Sequence, residues 1–131
     1  MIAVADADFP GFTRVVWTRH VAEMTDLDEA QRATLMLAVY TVESVMRRLL
    51  APDKINLAAF GNMVPHMHWH VIARWRDDRH FPDPYWAAPR IPLGQEPADW
   101  QARLAERAAR VAPYHRALVS ALDDLGKEAF A

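Results

Sequence analysis

His66-Met67-His68-Trp69-His70-Val71-Ile72-Ala73-Arg74-Trp75 alternates between two kinds of side chain. A period of two marks a strand, because successive side chains leave opposite faces of a pleated backbone. His66, His68, His70 and Ile72 fall on one face, with Arg74 joining them by parity. Met67, Trp69, Val71, Ala73 and Trp75 fall on the other. The second set is apolar throughout and predicts a face buried under a helix. The first predicts a cleft lined by imidazoles.

Upstream of this strand, residues 54–60 (KINLAAF) read as a neighbouring strand. Gly61-Asn62 reads as a turn in which Gly61 is needed for its backbone angles, and Pro65 suits a strand start or bulge. Further back, Leu35, Val39, Val42, Met46 and Leu49 recur at three- and four-residue spacing. They form the apolar face of a helix over about residues 28–50. Asp28 followed by Gln31 resembles a capping box at its start, and Ala51-Pro52 ends it. Residues 1–5 (MIAVA) and 12–18 (FTRVVWT) read as two strands of a hairpin joined through Phe9-Pro10-Gly11. Strand-like sequence begins at Met1 itself, as in a chain trimmed upstream.

Downstream, residues 77–97 carry five of the nine prolines, so an irregular loop is predicted there. From Ala98 the chain turns Ala-rich and helical, with Pro113 interrupting or restarting the run. The prediction is an α+β fold: an antiparallel sheet of about five strands, a long helix on one face, and C-terminal helices that pack on the edge or build a dimer contact. One domain spans residues 1–131, with its core in 1–90 and a helical extension over 97–128.

Fifteen Lys and Arg against seventeen Asp and Glu leave a net charge of −2. That argues against long nucleic acid and anionic membranes as partners, since no basic surplus is available. With no cysteine, disulfides, thiol catalysis and thiolate metal sites are excluded. No signal peptide is visible and no apolar run is long enough to span a bilayer, which is compatible with the cytoplasm.

Same-face neighbours on a strand are roughly 6.6 Å apart, so His66 and His70 lie roughly 13 Å apart. Metal–nitrogen bonds are about 2.0–2.1 Å. Two neighbouring histidines could share a metal, but three on a regular strand cannot converge on one. The row suits an extended anion, such as a phosphate chain laid along the strand.

The run His66-Met67-His68-Trp69-His70-Val71-Ile72 resembles the histidine triad signature, three histidines spaced by apolar residues. The wider stretch from Lys54-Ile55-Asn56 through Gly61-Asn62-Met63-Val64-Pro65 to Ala73-Arg74 is similar to the bacterial branch related to diadenosine tetraphosphate hydrolases. The resemblance covers roughly residues 1–90. It implies transfer of a nucleoside monophosphate through a covalent nucleotidyl-histidine, and a homodimer. By position, His68 would be the nucleophile, His70 the histidine that contacts the phosphate, and His66 its support. Asn56 would help hold the phosphate end, and Gly61 and Asn62 would belong to the loop near the phosphate oxygens. Asp6 stands where the family has an acid for the ribose hydroxyls. No metal site or cofactor is implied beyond a Mg²⁺ that can accompany the nucleotide. Two positions depart from the pattern. Phe12 follows Pro10-Gly11 where the family often has a histidine. Met63 stands where it commonly has Ser or Thr to assist the leaving group, and a thioether cannot donate a proton.

Structural roles compete at several positions. Asn56 could satisfy backbone groups at a strand end, and Asp6 could be a turn acid. Arg74 could contact phosphate or form an ion pair. His20 reads as loop structure, and His80 and His115 read as solvated. Trp69 and Trp75 read as core, whereas Tyr85 and Trp86 are open to either reading. A catalytically weak nucleotide-binding regulator and a histidine-based metal-binding protein are the alternative functions.

Overall fold

The computed structural model describes residues 1–129. Its sheet has four strands in the spatial order β1-β2-β4-β3, with every neighbour antiparallel. They are β1 (Ile2–Ala3), β2 (Thr13–Val16), β3 (Lys54–Ala59) and β4 (His68–Arg74). Four rather than about five strands form among the described residues. The longest connection, residues 77–97, holds five of the nine prolines, and proline cannot donate to a strand ladder. The triad strand β4 is central, so both its edges are hydrogen-bonded and its register is fixed from two sides.

Helix α1 (Glu29–Leu50) lies on one sheet face. The predicted cap is present: the Gln31 amide donates to Asp28 Oδ1 at 2.8 Å, and the Asp28 amide donates back to Gln31 Oε1 at 3.1 Å. At the other end Ala51 adopts the left-handed conformation with φ 48°, and Pro52 then prevents continuation. The buried stripe of α1 meets Val15, Ile55, Met67, Val71, Ala73 and Trp75 from the sheet in one core. The apolar face of β4 thus lies where its alternation placed it, with Trp69 half-buried at the margin.

Close approach of helix and sheet depends on Gly11. Its φ is 82°, and a Cβ there would lie 2.4 Å from Leu50 Cδ1. Gly61, by contrast, does not have a positive φ, so its backbone angles do not require glycine.

The C-terminal helices α2 (Trp100–Ala109) and α3 (Val111–Ala129) follow. Pro113 sits in the first turn of α3, where a missing amide costs no intrahelical bond. Helix α3 packs along α1, and buried Tyr114 reaches the sheet, its hydroxyl 2.8 Å from Thr13 Oγ1. Thr13 spends its own proton on the Gly11 carbonyl at 2.9 Å, so Tyr114 is the donor of this pair.

The opposite sheet face is covered only in part. The segment between β4 and α2 folds back over its far end, where Phe9, Phe12 and Ile72 form a second apolar cluster with Tyr85 against it. The triad end of the same face stays open.

Candidate active site

Geometry alone brings most of the cleft together. Antiparallel register sets Arg14 opposite His70 and Val16 opposite His68, while Ile2 lies opposite Arg14. Directly opposed residues project from the same face. These side chains, together with His66 and the loop Phe60–Val64, border a cavity of about 740 Å³ that Tyr85 and Trp86 also line. Gly61 and Asn62 are therefore placed beside the three histidines.

His68 Nδ1 lies 2.7 Å from the His66 carbonyl oxygen. A carbonyl only accepts, so the proton sits on Nδ1 and the Nε2 lone pair is left free. His66 precedes the regular strand. Its Nε2 lies 2.6 Å from the Trp17 carbonyl oxygen and must donate to it. Its Nδ1 is then an acceptor, and His20 Nδ1 lies 3.2 Å away with the two rings stacked at 18°. His20 thus belongs to the cluster. No alternation of its own marks it, because β2 and the loop after it bring it to His66 only through tertiary folding.

His70 is set differently. It is 3% exposed, and neither ring nitrogen has a hydrogen-bond partner among the described residues. The rings of Phe12 and Phe60 flank it, at centroid distances of 5.4 and 5.2 Å, and His68 lies at 4.8 Å. Burial, then the Arg14 guanidinium, then His68, push its pKa down to about 4. A neutral His70 offers one N–H to an anion. Phe12, in place of a further imidazole, supplies part of this apolar surround.

Three of the expected residues are placed outside the cavity. Asp6 caps a turn: its Oδ1 accepts from the Asp8 and Phe9 amides at 3.0 and 3.3 Å. Arg74 lies on the histidine face as its parity required, but the segment after β4 buries it. It donates to Asp78 at 2.7 and 3.1 Å, to Asn56 Oδ1 at 2.8 Å and to the Asp83 carbonyl at 2.8 Å. Asn56 borders a second cavity of about 560 Å³, beyond Trp86. His80 and His115, expected to be solvated, are half-buried, and His80 Nδ1 donates to the Ala87 carbonyl at 3.0 Å. Met63 is 95% exposed at the cavity rim. Among the described residues no three His, Cys, Asp or Glu side chains are grouped to hold a metal ion, and no helix is long and apolar enough to cross a membrane.

Comparison with known proteins agrees with this arrangement. The family model described as the HIT domain matches residues 1–77, more than half of the chain. Two proteins named AP-4-A phosphorylase, from two strains of Mycobacterium tuberculosis, are 32% identical over 78 residues. That match covers 55% of this chain but only 40% of those relatives, so the chain accounts for less than half of their length. Among solved structures, a histidine triad protein from Bradyrhizobium japonicum is 33% identical with a TM-score of 0.63, over 83% of this chain and 81% of its own. One from Marinobacter aquaeolei is 29% identical with a TM-score of 0.63, over 86% and 79%. With the sheet, the long helix and the alternating histidines all in agreement, this chain belongs to the histidine triad (HIT) family.

Proposed function

We propose that this protein is a nucleotidyl hydrolase or transferase that cleaves at the α-phosphate of dinucleoside polyphosphates or related nucleotide conjugates, with His68 as the nucleophile. The observation that carries the reading is the bond from His68 Nδ1–H to the His66 carbonyl, which leaves the Nε2 lone pair free beside the cavity. In the first step Nε2 attacks the α-phosphorus, the bond to the leaving group breaks, and the leaving atom keeps its electron pair. In the second, an acceptor attacks the same phosphorus, the phosphorus–Nε2 bond breaks with its pair returning to Nε2, and where the acceptor is water its proton passes to solvent. The proton stays on Nδ1, hydrogen-bonded to the His66 carbonyl throughout, so the positive charge on the substituted imidazole is balanced by a fixed dipole.

The other residues have supporting tasks in this scheme. His70, neutral and without a hydrogen-bond partner among the described residues, donates to a phosphate oxygen. Gly61 and Asn62 approach the phosphate from the loop, and His66 holds the turn that carries the accepting carbonyl. Asn56 and Arg74 act behind the site by fixing β3 to β4. A Mg²⁺ would enter only with the nucleotide. The acceptor is water for a hydrolase and phosphate for a phosphorylase, and the Mycobacterium relatives' name favours testing both. A homodimer in the cytoplasm belongs to the same reading, and sedimentation velocity tests the dimer.

A catalytically weak nucleotide-binding regulator is the second reading. It is favoured by Met63, which puts an exposed thioether where proton donation to the leaving group would be useful. Incubation with diadenosine tetraphosphate, acid-free quenching and peptide mass analysis separates the two. A nucleotidyl adduct on His68 supports the enzyme. Binding without adduct or turnover supports the regulator, and a bound transition metal without nucleotide affinity would displace both.

A further inference from the structure

Arg74, Arg79, Arg103 and Arg107 are buried or half-buried, and each is bound to carboxylates: Asp78, Asp8 with Glu96, and Asp77 for the last two. Arg14 is treated differently. It is half-buried, yet it faces no carboxylate among the described residues, and its Nε is buried without a hydrogen-bond partner. The Phe12 ring, 5.8 Å from its Cζ, supports the guanidinium but offers no acceptor. Register places Arg14 opposite His70, so the guanidinium leaves the sheet on the triad face and borders the cavity. Only Nε is withdrawn from solvent, so the terminal donors of the guanidinium stay available at the cavity, where an entering anion can pair with them.

We propose that Arg14 binds the phosphate groups of the leaving half of the substrate, so that the cavity prefers nucleotides bearing a phosphoanhydride over those whose α-phosphorus carries an amine. This rests on the nucleotidyl-transfer reading above. An amine must gain a proton as it departs, and Met63 cannot supply one. A phosphoanhydride makes no such demand. As the His68 Nε2–phosphorus bond forms, the bond from phosphorus to the bridging oxygen breaks. Its electron pair stays on that oxygen, as the terminal phosphate of the departing nucleotide. What this step requires is neutralisation of the new charge, and a planar guanidinium with paired donors matches phosphate oxygens. Arg14 thereby accounts for how a triad lacking a hydroxyl at position 63 can still release its leaving group.

The test measures affinity for AMP and ADP by calorimetry with the parent protein, Arg14→Met and Arg14→Lys, alongside turnover of diadenosine tetraphosphate and of adenosine 5′-phosphoramidate. The parent should bind ADP at least about tenfold tighter than AMP, the worth of one charge-assisted contact. Arg14→Met should erase that difference while AMP affinity stays within about threefold, and Arg14→Lys should keep part of it. Equal affinity of the parent for AMP and ADP overturns the proposal. So does equal weakening of both nucleotides in Arg14→Met, or undiminished turnover of the tetraphosphate. If no His68 adduct forms but the Arg14-dependent preference for ADP persists, the covalent reading fails and Arg14 stands. If the adduct forms and Arg14→Met changes nothing, Arg14 alone fails. No binding of either nucleotide overturns both.

Discussion

Arg74 and Asp78 form a buried ion pair, Nε to Oδ2 at 2.7 Å, with both side chains at most 2% exposed. It spans the bend by which the chain leaves β4. Asp78 Oδ1 also accepts from the His80 and Phe81 amides at 2.9 and 2.8 Å, so one carboxylate organises the start of the covering segment. Arg74 in turn holds Asn56 on β3 and the Asp83 carbonyl in the segment. The pair therefore ties the triad strand to the lid over its far end.

Removing one partner leaves an uncompensated charge in the interior. Asp78→Ala should cost about 3–5 kcal/mol in denaturant unfolding, because the desolvated guanidinium loses its counter-ion. The exposed Arg90–Asp83 pair offers the contrast: solvent screens it, so Asp83→Ala should leave the unfolding midpoint nearly unchanged. Similar effects at the two sites would show that the Arg74 pair is not energetically buried.

His68→Ala should abolish turnover while leaving circular dichroism unchanged. The side chain is only half-buried and borders the cavity rather than the core. Retention of turnover within about tenfold of the parent would remove His68 as the nucleophile, since loss of a covalent catalyst costs far more than that.

His20 should act as a positioning residue through His66. His20→Ala is expected to lower kcat about two- to tenfold, the net worth of one hydrogen bond, with the melting temperature unchanged because His20 is exposed. His20→Gln, which keeps a donor, should recover part of the loss. An unaltered kcat in the alanine variant would mean that the ring contact plays no part in holding His66.

His70 predicts an acid limb of stability. Its folded value of about 4 lies below the ordinary 6.5, so the unfolded chain takes up the proton first. Its contribution is complete above about pH 6.5 and is lost as pH falls toward 4, amounting to at most about 3 kcal/mol. Melting temperatures should fall over that window in the parent and fall less in His70→Gln. A parent curve flat from pH 6.5 to 4 would contradict a neutral, buried His70.

Much of the fold was legible because periodicity reports burial directly. The alternation over residues 66–75 assigned both faces of β4, and the spacing of Leu35, Val39, Val42 and Met46 with the Asp28–Gln31 cap defined α1 nearly to the residue. The resemblance likewise brought Gly61 and Asn62 to the triad, and they border its cavity.

What the sequence by itself determined were the properties local to one element: the strand's two faces, the helix and its caps, the turn at Gly11, and three histidines in a row. What only the tertiary structure decided were relations between elements. Parity placed Arg74 on the histidine face but could not say that Asp78 and residues beyond it would fold back and bury it. Nothing in the spacing of His20 announced a partner 46 residues away, nor did Arg14 disclose that register would set it opposite His70. Local pattern encodes which side of an element is apolar. Which charge ends beside which imidazole depends on strand register and loop path, and these are set by packing of the whole core.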